Sequence, residues 1–356
     1  MSDRSFSRGI VAIIALVALL ALLLPPGAIW SRGSAAAAEA RATQTVYVGP
    51  QHVIIDTDIG DDIDDAFAVS LALNSPELAI DGITTAWGDT HLRARLVNRL
   101  LAEARRSDIP VAEGIVTHSK AHFTQARWAE GGAEPRSSGS GGPDRGPETG
   151  PKEHVDAVDF LLRQIGQHPG EITLICIAPL TNIAAAIDRD PATFRKVRRI
   201  VMMGGSIYRG YLDPGAGPNP PPDSEYNIAS DVAAAQKVLS SGVAIYMLPL
   251  DSTQIRLDEV RRGELFAAGT PITDALTLLY HQWGQPTPVL YDPVAVSYAI
   301  EPNLCTMKFL RIDADKDGYT RVAEGAPNVM ACVASDREKV LDFIMPRLMA
   351  SPQAAR

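Results

Sequence analysis

The stretch Val53-Ile-Ile-Asp-Thr-Asp-Ile-Gly-Asp-Asp-Ile-Asp-Asp-Ala66 decides the fold, because an apolar strand ends within it and a helix begins. Residues 56–65 carry six carboxylates in ten positions. In an open parallel sheet, ligands bind outside the carboxyl ends of the strands. Crowded carboxylates repel one another unless some are protonated or a cation lies among them, and all-oxygen ligand sets suit Ca²⁺ or Mg²⁺. The stretch therefore predicts a divalent cation at the end of the first strand.

A simpler interpretation accounts for only part of this acidic stretch. The aspartates within residues 61–65 would complement the positive N-terminal end of the helix that follows. That effect explains one or two carboxylates near a helix start, but it does not explain Asp56 and Asp58, which belong to the strand end. The metal interpretation is the more economical one.

Outward from this stretch, the chain alternates short β-branched runs with amphipathic helical runs. This alternation predicts an α/β fold with a mostly parallel central sheet flanked by helices, in a single domain. The predicted strands are His52–Asp58, Ile80–Trp87, Ile172–Ala178, Arg199–Gly205 and Ala244–Asp251. The predicted helices are Ile63–Asn74, His91–Arg106, His154–His168, Leu180–Asp188 and Ser230–Ser240. After Cys305 the pattern changes to strand, turn, strand and a closing helix from Ser335.

The N-terminal 40 residues have the features of an export signal. Arg4 and Arg8 precede an apolar run from Ile10 to Leu24, and Ala38-Glu39-Ala40 resembles a cleavage site. The run has 15 residues, short of the roughly 20 that a membrane-spanning helix needs, so an uncleaved anchor is the second choice. We expect a periplasmic or secreted protein whose catalytic domain covers residues 41–356.

Two segments without strong apolar pattern are expected to form surface loops. Residues 131–151 are rich in Gly, Pro, Ser and charge, which predicts a flexible insertion within the domain rather than a linker. Residues 210–223 are rich in Gly and Pro, and a loop of this length in a compact domain is often a lid.

Charge and cysteine content exclude two classes of function. The formal net charge is −9, from 42 acidic and 33 basic residues, so the basic surface needed to bind nucleic acid is missing. The three cysteines are too few and too scattered for a disulfide scaffold or a zinc site. Cys305 and Cys332 either meet across neighbouring strands and oxidise after export, or remain buried thiols.

The sequence resembles the nucleoside hydrolases, the inosine–uridine-preferring nucleoside N-ribohydrolases. Their Asp-x-Asp-x-Gly-x-Asp-Asp run after a strand is similar to Asp56-Thr-Asp58-Ile-Gly60 followed by the aspartates of residues 61–65. Further similar blocks keep their order over nearly the whole chain after residue 40, and this order makes the resemblance specific. They are Ile83–Asp89, Ile109–Val111, Ala178–Ile183, Met202–Gly205, Glu225–Asn227 and Tyr291–Pro293.

The resemblance implies calcium-dependent hydrolysis of the N-glycosidic bond of ribonucleosides. One Ca²⁺ would hold the 2′ and 3′ hydroxyls of the ribose and the attacking water. Asp58 would be a calcium ligand and the general base, Asp292 a second ligand and the backbone carbonyl of Ile177 a third. This sequence has two extra residues after Gly60, so Asp62 and Asp65 compete for the bidentate ligand position. We favour Asp65, because Asp64-Asp65-Ala66 restores the family's entry into the helix.

The resemblance also implies residues that bind the substrate. Glu225 and Asn227 match positions that hydrogen-bond the sugar, and we assign Asp62 and Asp64 to substrate binding with them. Asp89 stands where the family usually has Asn, and an ionised carboxylate there can only accept hydrogen bonds. The expected partner is a small-molecule nucleoside, with no nucleic acid and no membrane unless the N-terminal segment stays uncleaved. A homo-oligomer is expected.

Tyr291 is the clearest departure from the family pattern. Many members have His immediately before the C-terminal aspartate, where it can protonate the departing base. A phenol is a much weaker acid than imidazolium at neutral pH, so Tyr291, His281 or the substrate itself must supply leaving-group activation. Trp87 and Trp283 could stack on a base or simply pack beside the sheet.

A second acidic motif matches the calcium-binding EF-hand loop, but its flanks do not. Asp313-Ala-Asp-Lys-Asp-Gly-Tyr-Thr-Arg-Val-Ala-Glu324 satisfies the loop pattern. Residues 307–312 look like a strand rather than an incoming helix, and Gly325-Ala-Pro327 prevents an outgoing one. We expect a hairpin here, like the one that carries a Thr-Arg pair in the nucleoside hydrolases.

Two other functions remain open from the residues alone. A haloacid-dehalogenase-like phosphatase would use Asp56 as nucleophile and Asp58 as acid, but it expects Gly and Thr directly after Asp58, where this chain has Ile59 and Gly60. A non-catalytic ribose- or nucleoside-binding protein would keep the metal site and lose turnover through Tyr291.

Overall fold

The computed structural model describes residues 49–119, 121–131, 155–212 and 220–351. The predicted export signal at residues 1–40 and nearly all of the predicted insertion at 131–151 lie outside these ranges, as do residues 213–219 of the second predicted loop. Contacts group Gly49–Arg356 into one compact unit. Within the described ranges, no helix is both long and apolar enough to cross a membrane.

An eight-stranded sheet forms the centre of the unit. Its strand order is β3-β2-β1-β4-β5-β6-β10-β7, and every neighbouring pair is parallel except β10 with β7. The α/β prediction with a mostly parallel sheet is thereby confirmed. The strands are β1 Gln51–Thr57, β2 Leu78–Thr85, β3 Val111–Glu113, β4 Thr173–Ile177, β5 Arg199–Met203, β6 Ile245–Leu248, β7 Cys305–Leu310, β8 Ile312–Ala314, β9 Thr320–Val322 and β10 Val329–Ser335.

Helices cover both faces of this sheet. They are α1 Asp64–Leu73, α2 Thr90–Glu103, α3 Ala126–Ala129, α4 Ala157–Gln167, α5 Thr181–Arg189, α6 Pro191–Phe194, α7 Tyr226–Ser230, α8 Val232–Leu239, α9 Leu250–Thr253, α10 Glu259–Phe266, α11 Pro271–Trp283, α12 Tyr291–Ile300 and α13 Arg337–Leu348. A short 3₁₀ helix covers Pro302–Leu304. Successive residues of β1 enter different cores, because Val53 and Ile55 belong to one apolar cluster and Ile54 to the other.

The burial of helix α1 explains why its start can form a site. All ten of its residues are buried, and it contacts α12, which is buried over most of its length. Both helices begin at the carboxyl-end edge of the sheet, α1 after β1 and α12 after the segment that follows α11. Two helix N-termini therefore meet beside the strand ends, where backbone N–H groups favour negative charge.

The segment that matches the EF-hand loop pattern forms the predicted hairpin and not an EF-hand. Strands β8 and β9 pair antiparallel, and no helix flanks the loop between them. Asp315 accepts hydrogen bonds from the backbone N–H groups of Asp317 and Tyr319, and it pairs with Arg321 at 3.2 Å. The carboxylate is therefore occupied by the hairpin itself.

Cys305 and Cys332 form a disulfide that joins β7 to β10, with their Cα atoms 5.5 Å apart. This settles the alternative that the sequence left open. Cys176 is a buried free thiol in β4.

Candidate active site

A cavity of about 440 Å³ opens at the carboxyl ends of β1, β4 and β5, a volume within the range of small-molecule sites. Its deep lining residues are each at most 6% exposed, and most are polar or acidic. They are Asp58, Asp64, Asp65, Ile177, Met203, Glu225, Asn227 and Asp292. Its outer lining is more exposed and partly aromatic, and it consists of Asp61, Asp62, Ala121, His122, Thr124, Tyr211, Tyr226, Trp283, Gln285 and Tyr291.

Three aspartates form a group at the bottom of this cavity. One carboxylate oxygen from each of Asp64, Asp65 and Asp292 lies within 4.8 Å of the others, and all three residues are buried. The first two begin helix α1 and the third is in the first turn of α12. The Asp292 backbone N–H donates to Asp64 Oδ2 at 3.2 Å, and the Thr57 hydroxyl donates to Asp65 Oδ1 at 2.5 Å. The group is thus held by both helices and the end of β1.

The electrostatics of the three-aspartate group favour a cation. Burial raises the pKa of Asp64, Asp65 and Asp292 well above the usual carboxyl range, and repulsion among the neighbouring carboxylates raises it further. A bound divalent cation would offset both effects by stabilising the ionised forms. The donors are all carboxylate oxygens, which a hard cation prefers. The residues present therefore fit a metal ion, and they could hold one.

Asp58 lies beside this group, in the loop that follows β1. Burial raises the pKa of its carboxyl group to about 7, although the charge of Arg93 opposes the increase. Arg93 comes from helix α2, is 1% exposed, and donates to the backbone carbonyls of Asp58 and Ile59 and to that of Trp87. It also pairs with Asp61 at 2.7 Å. One buried guanidinium thereby fixes the loop that carries Asp58.

The segment before α3 supports the same loop from its other side. The Thr124 hydroxyl donates to the Asp61 carbonyl at 2.8 Å, and the Gln125 side chain donates to the Asp62 carbonyl at 2.7 Å. The Phe123 ring covers Gly60, which has φ +128°. The loop is therefore held by both α2 and the segment 123–125.

Two side chains predicted to hold the sugar lie on the cavity wall near α7. Glu225 caps this helix by accepting from the N–H groups of Asn227 and Ile228, and it also accepts from Gly205 N–H at 2.8 Å. The Asn227 amide donates to the Met203 carbonyl at 3.3 Å. Thr320 of the C-terminal hairpin closes this region from behind, through two hydrogen bonds with the backbone of Ser206.

Not every predicted site residue lies in the cavity. Asp89 is exposed and outside the lining, where it caps helix α2 by accepting from Leu92 N–H at 2.9 Å. Asp62 lines the rim, whereas Asp65 joins the three-aspartate group. Asp56 is buried outside the lining and accepts from Thr84 and Asn182, so it is not placed as a nucleophile for a phosphatase.

Tyr291 lines the cavity in edge contact with Tyr211, whose ring centroid is 6.2 Å away. Burial and the charges of Asp64 and Asp62 raise the pKa of Tyr291 above its usual value, which makes its phenol a still weaker acid. His281 lies outside the lining and packs against Tyr280, and Trp87 is also outside, whereas Trp283 is part of the rim.

Sequence reasoning missed His122 and Arg93. His122 is an imidazole on the cavity rim, in a segment with no periodic pattern to single it out. The burial of Arg93 could have been predicted from the sequence, because it lies on the apolar face of α2 together with Leu96, Val97 and Leu100. A charged residue at a buried position requires partners, and those partners proved to be the acidic loop.

The fold and this site are those of a protein that binds a small molecule among buried carboxylates at the end of a parallel sheet. The family model for inosine-uridine preferring nucleoside hydrolase matches residues 53–342. This chain belongs to that family, and it is a hydrolase that acts on the N-glycosyl bonds of ribonucleosides.

Individual relatives agree with this assignment. Pyrimidine-specific ribonucleoside hydrolase RihA from Salmonella arizonae is 31% identical over 320 residues, which cover 83% of this chain and 97% of that protein. A solved plant nucleoside hydrolase is 30% identical with a TM-score of 0.70, covering 85% of this chain and 99% of that one. A purine-preferring ribonucleoside hydrolase from Gardnerella vaginalis, 24% identical with a TM-score of 0.67, shares the fold over 86% of this chain and 100% of its own.

Proposed function

We propose that the protein hydrolyses ribonucleosides to free base and ribose with the help of one bound Ca²⁺. The observation that carries this proposal is the buried group of Asp64, Asp65 and Asp292 at the bottom of a nucleoside-sized cavity. Three adjoining buried carboxylates are costly to ionise without a cation, and the family assignment supplies the reaction.

The proposed calcium ligands are the side chains of Asp58, Asp65 and Asp292 and the backbone carbonyl of Ile177. All four residues line the cavity and are at most 6% exposed, so the ligand set is buried and consists only of oxygen. Bound Ca²⁺ would fix the sugar hydroxyls and lower the pKa of the attacking water. Asp58 is the proposed general base, because it is the carboxylate beside the group that the buried guanidinium of Arg93 positions through its backbone.

The sugar is held by residues of the deep lining. Asp64, Glu225 and Asn227 offer acceptors and one amide donor around the same cavity, and Asp64 is fixed by the Asp292 N–H. Departure of the base leaves positive charge on the ribosyl ring, as in other glycoside hydrolyses. The surrounding carboxylates stabilise that charge in the transition state more than in the neutral nucleoside, which is the condition for catalysis.

Metal dependence gives the direct test. We expect exhaustive chelation to abolish ribose release from a panel of purine and pyrimidine nucleosides, and Ca²⁺ to restore it more fully than Mg²⁺. Calorimetric titration of the metal-free protein should show one Ca²⁺ site, a result that does not depend on turnover. Asp58→Asn should lower kcat at least about a hundredfold while the protein stays folded. Full activity in protein shown by metal analysis to be free of ions would refute the proposal.

We also propose that residues 1–40 direct export to the periplasm or the medium, and that the exported protein forms a homo-oligomer. The disulfide between Cys305 and Cys332 supports export, since disulfides persist in oxidising compartments. Fractionation of cells that produce the full chain, with N-terminal sequencing and light scattering of the product, tests both points. A cytoplasmic product that keeps its N-terminus, or a monomer, would contradict the respective point.

A further inference from the structure

We propose that Asp62 selects the nucleobase, by accepting a hydrogen bond from an N–H group on the edge of the base. Bases with an amino group at that edge would then be preferred over otherwise identical bases without one. The inference rests on the proposed function and concerns the same cavity, but it assigns a role to a residue on its rim.

The burial of the lining residues separates a sugar side from a base side. The three-aspartate group, Glu225 and Asn227 all belong to the deep lining, so a ribose bound by them occupies the bottom of the cavity. The base must then lie against the outer lining, which contains Asp62, Trp283 and Tyr291. Asp62 lines the cavity and is exposed, unlike the deep carboxylates.

Asp62 is held firmly enough to discriminate between bases. Its Oδ1 accepts from the Ile63 N–H at 2.6 Å, and Trp283 lies near its carboxylate on the cavity rim. Its backbone carbonyl is fixed by the Gln125 side chain. A carboxylate has about four acceptor sites, and the Ile63 N–H occupies one of them, so about three remain for a ligand.

Among the described residues that line the cavity, none is a Lys or Arg that could pair with Asp62, and the nearby guanidinium of Arg93 pairs with Asp61 instead. A base with an N–H at this position would satisfy the carboxylate, whereas a base without one would displace water and leave it unpaired. Sites built to bind an N–H reject analogues that lack it far more strongly than apolar pockets reject analogues of a different size.

The two extra residues in the loop after Gly60 fit this role. Residues 61 and 62 lengthen the loop relative to the family pattern, and the structure uses them differently. Asp61 anchors the loop through Arg93, and Asp62 reaches the cavity rim beside Trp283. The extension therefore adds one anchor and one acceptor, while Asp64 and Asp65 stay together in the three-aspartate group at the bottom of the cavity.

Substrate pairs that differ by one amino group test the inference. Adenosine is compared with purine riboside, and cytidine with 2-pyrimidinone riboside, at saturating Ca²⁺. For wild type, Asp62→Asn and Asp62→Ala, the kcat/KM ratio within each pair is measured. Dividing the variant's ratio by that of wild type cancels the intrinsic difference between leaving groups. We expect Asp62→Ala to lower at least one pair's ratio about tenfold or more, and Asp62→Asn, which keeps an acceptor oxygen, to lower it less.

A matched control variant and a binding measurement distinguish a failure of the role of Asp62 from a failure of the proposed function. Asp274→Asn, an exposed change on the helix that carries Trp283, should leave both ratios unchanged. Adenine should bind wild type more tightly than purine does, and calorimetry should show this difference reduced in Asp62→Asn. Equal losses for both members of each pair would overturn the role of Asp62 while ribonucleoside hydrolysis stands. A wild-type protein that hydrolyses no nucleoside would overturn the proposed function and this inference together.

Discussion

Arg93 is a single residue on which the order of the site depends, because its guanidinium is buried between the backbone of residues 58–59 and the Asp61 carboxylate. We expect Arg93→Met to lower the free energy of unfolding by roughly 3 kcal/mol, since removal of one partner leaves an uncompensated buried charge. It should also lower kcat, because Asp58 loses its support. Chemical unfolding and steady-state kinetics measure the two effects.

Arg95 provides the matched control for this substitution. It lies two residues further along α2 and is exposed, so Arg95→Met should change stability by less than about 0.5 kcal/mol. Arg93→Lys keeps the charge but cannot reproduce the fork of donors, so it should recover only part of the loss. Equal effects of the substitutions at the two positions would refute the anchoring role of Arg93.

Tyr291 belongs to the outer lining of the cavity, and burial together with the charges of Asp64 and Asp62 raises the pKa of its phenol above the usual value. We expect Tyr291→Phe to slow natural nucleosides at least about tenfold more than a nitrophenyl riboside, because a donated hydrogen bond matters most for a poor leaving group. Turnover of both substrate classes by the same preparations gives the comparison. An equal decrease in turnover for both substrate classes would indicate a positioning role. If turnover of neither class decreases, Tyr291 is not the proton donor, and His122, the imidazole on the rim, becomes the next candidate.

Most residues of the candidate site could be predicted from the sequence, but the places of some of them could not. Repulsion among six carboxylates at a strand end indicated a cation, and the cavity brings Asp58, Asp64, Asp65 and Asp292 together. The place of Asp89 was not predictable from the family pattern, because a competing local role, capping α2, holds it away from the cavity. The place of His122 depends on how an irregular segment folds back over the loop, and sequence periodicity carries no information about that.

The loop between β1 and α1 depends on Gly60. This residue has φ +128°, and a Cβ there would lie 2.2 Å from the Phe123 ring. We expect Gly60→Ala to destabilise the protein by about 1–3 kcal/mol and to weaken Ca²⁺ binding, because both backbone strain and the clash displace the loop. Thermal unfolding and calorimetry measure the two quantities.

Gly170→Ala is the control that distinguishes the cost of backbone strain from the cost of a steric clash with a neighbouring side chain. Gly170 has φ +82°, but nothing lies within 4 Å of a Cβ placed there. Gly170→Ala should therefore show the cost of strain alone and leave Ca²⁺ binding unchanged. Combining Gly60→Ala with Phe123→Leu should recover part of the loss. If the two glycine variants behave alike, the contact with Phe123 has no role in holding the loop.

The cap of helix α10 predicts a pH dependence of stability. Hydrogen bonds from the backbone and side chain of Arg261, and one from Arg337, hold the pKa of Asp258 far below its usual value. A carboxyl group whose pKa is lower in the folded state stabilises the protein above its unfolded pKa of about 4, and this contribution is lost as the pH falls. Asp258→Asn should therefore lower Tm at pH 7, and the difference from wild type should shrink between pH 5 and pH 3.

Glu264→Gln on the same exposed helix serves as the control for charge alone, and its effect should be smaller at every pH. Because the Asp258 ion pairs are solvent-accessible, the difference should also decrease at high salt. A difference between Asp258→Asn and wild type that persists unchanged at pH 3 would contradict the assignment.

The alternation of strands and helices along the whole chain correctly predicted the fold class. The five strands predicted from the sequence correspond to β1, β2, β4, β5 and β6. Each is largely buried on both faces, so its apolar run was visible, with bounds displaced by a few residues. The edge strand β3 has only three residues, too few to show a period. Its pairing with β2 comes from tertiary contacts, and a single sequence does not encode those locally.

The disulfide is a property of the whole chain, because it joins residues 27 positions apart and attaches the antiparallel edge strand β7 to the parallel sheet. Closing a loop of that length stabilises the folded state by about 3 kcal/mol, so Cys305→Ser should lower Tm by several degrees. Reductant should lower the Tm of wild type to a similar value and leave that of Cys305→Ser unchanged, which controls for the substitution itself. At temperatures well below either Tm, kcat should be the same for both proteins, since the proposed ligands lie at the ends of β1 and β4 and the start of α12, away from β7. A wild-type Tm that does not respond to reductant, with free thiols shown by titration, would mean that the bond does not stabilise the fold, and the support it gives to export would be withdrawn.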